Sequence, residues 1–294
     1  MHMSTAHLIF RRLLPLAVVT ALVLPAQAAP LKPFKDALFS YGTVLETADG
    51  GDYRVVDYQE MRDINGRDQV PERRAKRAYV SLGIKSEQAN ETIDAAGRPL
   101  DVTRVGAERG AAFSVIFIHG RGGDRRLGAN DWSFGGNFNR LKNLAVENGG
   151  VYYAPSVRSF DDAGVADIAG LIAYAQQRSP GKPIILACAS MGSFICWGMT
   201  RNPPAVAALK GMMIMGGPTD PAFSRSAAYK SKLPMFFSHG SADSVYAAAD
   251  QVGLYRSLKA ANYPSRFVLF QTGSHGTPVR MTDWRDALNW IGVD

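Results

Sequence analysis

Histidine, the side chain best suited to proton transfer near neutral pH, is scarce in this 294-residue chain, which holds five. Besides His2 and His7, its histidines are His119, His239 and His275, each followed directly by glycine. Cys188-Ala189-Ser190-Met191-Gly192 sets a serine among small residues, in a C-x-S-x-G pattern. A serine presented on a tight strand-to-helix turn needs small neighbours two positions to either side, because the turn is strained and crowded. Gly192 meets that need, and Cys188 is larger than the usual glycine. Ser193 offers another register, but Ile195 would then fill the small position, so Ser190 is preferred. A serine hydroxyl is a poor nucleophile until a base removes its proton. The chemistry expected is attack by Ser190 with a histidine as base.

Those residues need a frame. From residue 113, short apolar runs (Phe113–Ile118, Val151–Ala154, Ile184–Ala187, Gly211–Met215, Met235–Ser238 and Phe267–Phe270) alternate with helix-length stretches near 137–148, 161–178, 191–201, 245–261 and 278–291. Val165, Ile168, Ile172 and Ala175 recur at helical spacing, and Thr277-Pro278 reads as an N-cap followed by a first-turn proline. The alternation implies an α/β fold, a doubly wound and mostly parallel sheet flanked by helices. Ligands of such sheets gather at the carboxyl ends of the strands, where every motif above falls. Of the histidines only His275 follows both the serine and the candidate acids, so it is the expected base; His119 and His239 are expected to brace their loops. Upstream, Leu38–Thr47 and Tyr53–Tyr58 read as a hairpin extension, residues 60–100 as polar and irregular, and Ala78–Leu82 and Leu100–Val105 as strand candidates. The expected organisation is one domain over 29–294, with 29–110 the N-terminal strands and extension and 111–294 the catalytic core.

The order Ser190, Asp243, His275, each at a strand end, resembles the α/β-hydrolase-fold serine hydrolases, over about residues 110–294. The departure from that family's pattern is Cys188. The resemblance implies that Asp243, in His239-Gly240-Ser241-Ala242-Asp243, fixes the tautomer of His275, with Asp220 as the reserve acid. It also implies an oxyanion hole from the backbone N–H groups of Met191, directly after the nucleophile, and of Arg121, after His119-Gly120. Residues 216–234, where lid domains often enter, are too few to form one, so an open cleft is expected, flanked by a short helix bearing Phe223 and Tyr229. The implied activity is hydrolysis of carboxylic esters through an acyl-enzyme on Ser190, the ester being a small molecule or carried by a lipid or polymer. The alternatives are a peptidase or amidase with the same residues, and a non-catalytic envelope-binding protein. Arg121, Arg125 and Arg126 are candidates for recognising an anionic part of the substrate, and Trp132 for an aromatic wall.

Composition narrows the rest. With 46% hydrophobic and 20% charged residues the chain is neither disordered nor fibrous, and two cysteines exclude a disulfide-stapled miniature fold. Arg11 and Arg12, an apolar run from Leu13 to Ala26 and the small-x-small triplet Ala26-Gln27-Ala28 read as a signal peptide over 1–28. The expectation is export, to the periplasm or outside the cell, after cleavage near Ala28/Ala29. Cleavage removes both arginines and no acid, taking the formal charge from +7 to +5. The basic cluster Arg73, Arg74, Lys76 and Arg77 lacks interleaved aromatics and reads as a solvated face, with weak contact to an anionic envelope surface as the other option and no nucleic acid expected. No metal-ligand spacing, Walker loop or G-x-G-x-x-G occurs, so no metal or cofactor is expected. Strand and helix layers stand about 10 Å apart, farther than the roughly 4.4–6.8 Å of bridged Cα atoms, so Cys188 and Cys196 are expected to be buried thiols.

Overall fold

The alternation of apolar and amphipathic stretches resolves into one ten-stranded sheet in the computed structural model, which describes His2 and residues 29–293. The Leu13–Ala26 run lies outside the described residues. The strands are β1 (Val44–Ala48), β2 (Tyr53–Val56), β3 (Gln88–Ala95), β4 (Arg98–Gly106), β5 (Ser114–Ile118), β6 (Val151–Pro155), β7 (Ile184–Ala189), β8 (Leu209–Met215), β9 (Met235–Gly240) and β10 (Ser265–Phe270). Across the sheet they run β1-β2-β10-β9-β8-β7-β5-β6-β4-β3. Neighbours from β2 through β6 are parallel, while β1 on one edge and the β3–β4 hairpin on the other are antiparallel additions.

The central strands read as continuous apolar runs because both faces are covered. In β7, Ile184, Leu186 and Cys188 enter one core, and Ile185, Ala187 and Ala189 the other. The major helices are α1 (Asn137–Glu147), α2 (Asp162–Arg178), α3 (Ser193–Met199), α4 (Ala248–Ala260) and α5 (Trp284–Ile291). Helices α1 and α5 cover one face through Phe138, Leu141, Trp284 and Leu288; α2, α3 and α4 cover the other through Ile168, Ile172, Trp197 and Tyr255. The stretch expected as one helix over 278–291 is two, because Asp283 caps α5 by accepting from the N–H groups of Arg285 and Asp286.

The upstream region departs from its reading in four places, the first being Glu60–Arg67, an α-helix within the stretch read as irregular. The first hairpin strand is shorter than expected, because Asp36–Phe39 forms a helical turn that buries Phe39. Arg77–Tyr79 is a short 3-10 turn where a strand was expected. Gln88–Ala95 is a strand despite its polar sequence, since it lies at a sheet edge and only alternate residues approach the core.

The expectation of two free thiols is corrected: Cys188 and Cys196 are disulfide-bonded, with Cα atoms 6.2 Å apart. Layer spacing describes elements in mid-course, whereas α3 leaves directly from the end of β7, and its first turn is still close to the strand. Both side chains enter the same core.

Candidate active site

Ser190 occupies the turn between β7 and α3 with a φ of 51°, in the left-handed region that non-glycine residues adopt only when held there. Close packing of that turn depends on Gly192, where an added Cβ would lie 2.6 Å from the carbonyl oxygen of His119. Cys188 is tolerated in place of glycine because its side chain enters the core beneath α3, bonded to Cys196.

The loop after β10 brings His275 to the serine, its Nε2 2.8 Å from Ser190 Oγ. On the other side of the ring Nδ1 is 2.8 Å from Asp243 Oδ2. A carboxylate only accepts, so Nδ1 carries the proton and Nε2 is left to accept from the serine hydroxyl. Asp243, on the loop after β9, is fully enclosed, while His275 keeps 29% of its side chain exposed. The other Asp243 oxygen, Oδ1, accepts from the N–H groups of Val245 and Tyr246, at 2.8 and 3.1 Å. Burial by itself would raise the Asp243 carboxyl; the hydrogen bonds from His275 and those two amides outweigh it and hold the group below the usual carboxylate range.

The loop after β5 lies against the same serine. At Gly120 an added Cβ would sit 2.8 Å from Ser190 Cβ, so only glycine lets the backbone pass this close. Arg121 and Met191 both border the cavity in front of Ser190, and the Arg121 N–H donates to no group among the described residues. His119 is buried in this loop: its Nε2 accepts from the Val157 N–H at 3.0 Å, and its Nδ1–H donates to the Gly120 carbonyl at 2.7 Å. Burial lowers its pKa, which keeps it neutral.

A cavity of about 430 Å³ opens beside Ser190 and His275, walled by Phe117, Leu127, Phe134, Phe138, Met215 and Val279. The rings of Phe117 and Phe134 stand 4.8 and 5.5 Å from that of Phe138, edge to face. Arg121 is the one charged arginine or lysine in its lining. The other expected substrate contacts lie elsewhere. Arg125 faces the Glu91 carbonyl and Asp101, at 3.4 and 4.0 Å. Arg126 is paired with Asp124, its Nε donating to Oδ2 at 2.8 Å. Trp132 lies beneath Arg74, whose guanidinium carbon is 3.8 Å from the ring centroid. None of these three lines the cavity.

Phe223 and Tyr229 do not flank the cleft: Phe223 packs 5.3 Å from Trp197 and Tyr229 stacks 5.1 Å from Tyr263, ring to ring. Asp220 pairs with Arg201, away from His275. The walls escaped sequence reading because Phe117 and Phe138 carry the same alternation and helical spacing as core residues. Among the described residues no group of three or more His, Cys, Asp or Glu side chains is placed to hold a metal ion, and no helix is long and apolar enough to cross a membrane.

A parallel sheet covered on both faces, with a serine on a strand-to-helix turn facing a histidine, defines an α/β-hydrolase architecture. The Alpha/beta hydrolase family matches residues 115–292, and the chain belongs to that family. Among solved structures it is similar to a protein of unknown function from Agrobacterium tumefaciens, at a TM-score of 0.55 and 18% identity, covering 68% of this chain and 95% of that one. It is similar to a thermostable esterase, at a TM-score of 0.57 and 15% identity over 71% of this chain and 63% of that one. A Pyrococcus furiosus esterase gives a TM-score of 0.52 and 15% identity over 70% of this chain and 93% of that one. At these identities the likeness is one of fold. No curated protein matches the chain.

Proposed function

We propose that this family member is an exported serine hydrolase that cleaves carboxylic esters. The observation that carries the reading is the unbroken line Ser190 Oγ, His275 Nε2, His275 Nδ1, Asp243 Oδ2, with 2.8 Å at each hydrogen bond, beside an apolar cavity. Ser190 Oγ attacks the ester carbonyl carbon as its proton passes to His275 Nε2. The carbonyl oxygen becomes an oxyanion facing the N–H groups of Arg121 and Met191, each such donor contributing about 3–4 kcal/mol to transition-state stability. Collapse expels the alcohol, which takes the proton from His275, and leaves an acyl-serine. Water then attacks that ester by the same route and releases the acid.

The aromatic and aliphatic walls suit a compact apolar group on the ester, and Arg121 at the rim is the remaining candidate for an anionic part. Export is supported by the basic, apolar and small-residue pattern of residues 1–28. The Cys188–Cys196 disulfide adds to it, since such bonds persist in oxidising compartments. Labelling by a fluorophosphonate probe, abolished in Ser190→Ala, tests the nucleophile; folded wild-type protein that does not label overturns it. A series of p-nitrophenyl esters of increasing acyl length beside matching p-nitroanilides tests the bond cleaved. Comparable turnover of the anilides would make the protein an amidase or peptidase instead.

A further inference from the structure

His239 takes no part in the steps above, yet its ring is fully buried against the carboxylate that serves them. Its Nδ1 lies 2.9 Å from Gln251 Oε1. The face of that amide is fixed, because Gln251 Nε2 donates to the Gly217 carbonyl at 3.0 Å, and a carbonyl only accepts. Oxygen therefore faces Nδ1, and Nδ1 must donate. On the far side of the ring Nε2 lies 3.0 Å from the Tyr246 carbonyl oxygen and 3.1 Å from Asp243 Oδ2. Both of these are acceptors as well. A neutral imidazole has one N–H and one lone pair, and either tautomer here would press its lone pair against oxygen. Gln251, His239 and the Asp243 side chain are all closed to solvent, so no water relieves that contact from outside.

We infer that His239 is protonated on both ring nitrogens in the resting protein, and that this buried imidazolium is the cation paired with Asp243 before His275 becomes charged. This rests on the serine-hydrolase reading for its catalytic meaning, though not for the charge itself. In the resting state His275 is neutral, so the Ser190–His275–Asp243 line alone would leave a single negative charge out of water. Buried charges are normally paired, because solvation is lost and not replaced. With His239 included the resting site is neutral overall. When His275 takes the serine proton, its positive charge appears together with the negative oxyanion, and the site remains neutral. His239 touches neither substrate nor reacting atoms, so it is a positioning residue acting through Asp243. The contrast with His119 supports the reading: there Nε2 accepts from the Val157 N–H and only Nδ1 donates, the pattern of a neutral ring.

The test is nitrogen-15 NMR of the unliganded full chain with labelled histidine at neutral pH. One histidine, whose signals vanish in His239→Gln, should carry directly bonded protons on both ring nitrogens, while His275 carries one, on Nδ1. If His239→Gln does not fold, the signals are assigned by elimination in wild-type background from variants lacking each other histidine. A single ring proton on His239 overturns the inference. The kinetic arm uses the same His239→Gln, which keeps a donor and removes the charge. For a variant that melts with the wild type, kcat on a p-nitrophenyl ester should fall by about tenfold or more with KM unchanged; wild-type kcat overturns the catalytic meaning. A wild-type protein that hydrolyses no ester overturns the function proposed above and leaves the NMR result to decide the charge.

Discussion

The loops after β5 and β9 begin alike, with a buried histidine and a glycine at a strand end, and do different things. After β5, His119 meets one donor and one acceptor and stays neutral; it braces a loop whose backbone faces the serine. At the end of β9, His239 meets only acceptors and lies against Asp243, which is on the loop that follows. One loop supplies neutral backbone groups and an apolar wall, the other a compensated charge. The residue type is the same, so its role is set by what the neighbouring chain offers to each ring nitrogen.

Substitutions in the two loops test this division of labour. The largest effect is expected from Asp243→Asn, which preserves shape but presents the wrong partner to His275 Nδ1. Steady-state ester hydrolysis should lose on the order of 10⁴-fold in kcat, and a loss under tenfold would remove the β9 loop from the chemistry. Next is Gly120→Ala, whose Cβ would fall 2.8 Å from Ser190 Cβ. Displacing Ser190 should cost about 10²-fold in kcat with melting temperature little changed; full activity would show that the β5 loop does not hold the serine in place.

A smaller, selective effect is expected at the cavity rim. Arg121→Ala should raise KM about tenfold for an ester carrying a carboxylate and leave its neutral counterpart unaffected, the size of one lost charge-assisted hydrogen bond. Equal losses on both esters would refute anion recognition.

The smallest effect concerns stability. Because burial depresses the pKa of His119, the unfolded chain takes up a proton below about pH 6.5 that the folded chain resists. Wild-type stability therefore drops with acid through that group, by at most about 1.4 kcal/mol per pH unit, and is fully present above pH about 6.5. His119→Asn does not titrate. Its stability deficit in denaturant melts should be widest at pH 7 and narrow toward pH 5; a constant deficit would mean that His119 is not held neutral.

The three residues that meet at the cleft were readable because each needs a local signature. Ser190 requires Gly192 beside it, and Asp243 and His275 sit in glycine-bearing loops directly after apolar strands. The central strands were readable because coverage on both faces removes polar residues from them. Strand β3 was not, since an edge strand shows half its side chains to water. The cavity walls were hidden because Phe117 and Phe138 obey the rules of core residues, and a pocket is a gap between elements that no single segment encodes. Which arginine reaches the rim depended on where Asp101 and Asp124 lay to hold Arg125 and Arg126. The charge assigned to His239 depends on Gln251 and Tyr246, whose carbonyl groups carry no sequence mark.

The pairing of β2 with β10, Tyr53 beside Phe267 and Val56 beside Phe270, bears on the order of assembly. The hairpin β1–β2 is made early in synthesis, yet its only parallel partner is the last strand of the sheet. A ribosome-bound or partly delivered chain offers β2 only β1, on its antiparallel side, and contacts as distant in sequence as β2 with β10 form slowly. This edge of the sheet is thus completed only once nearly the whole polypeptide is available, however early the hairpin itself forms.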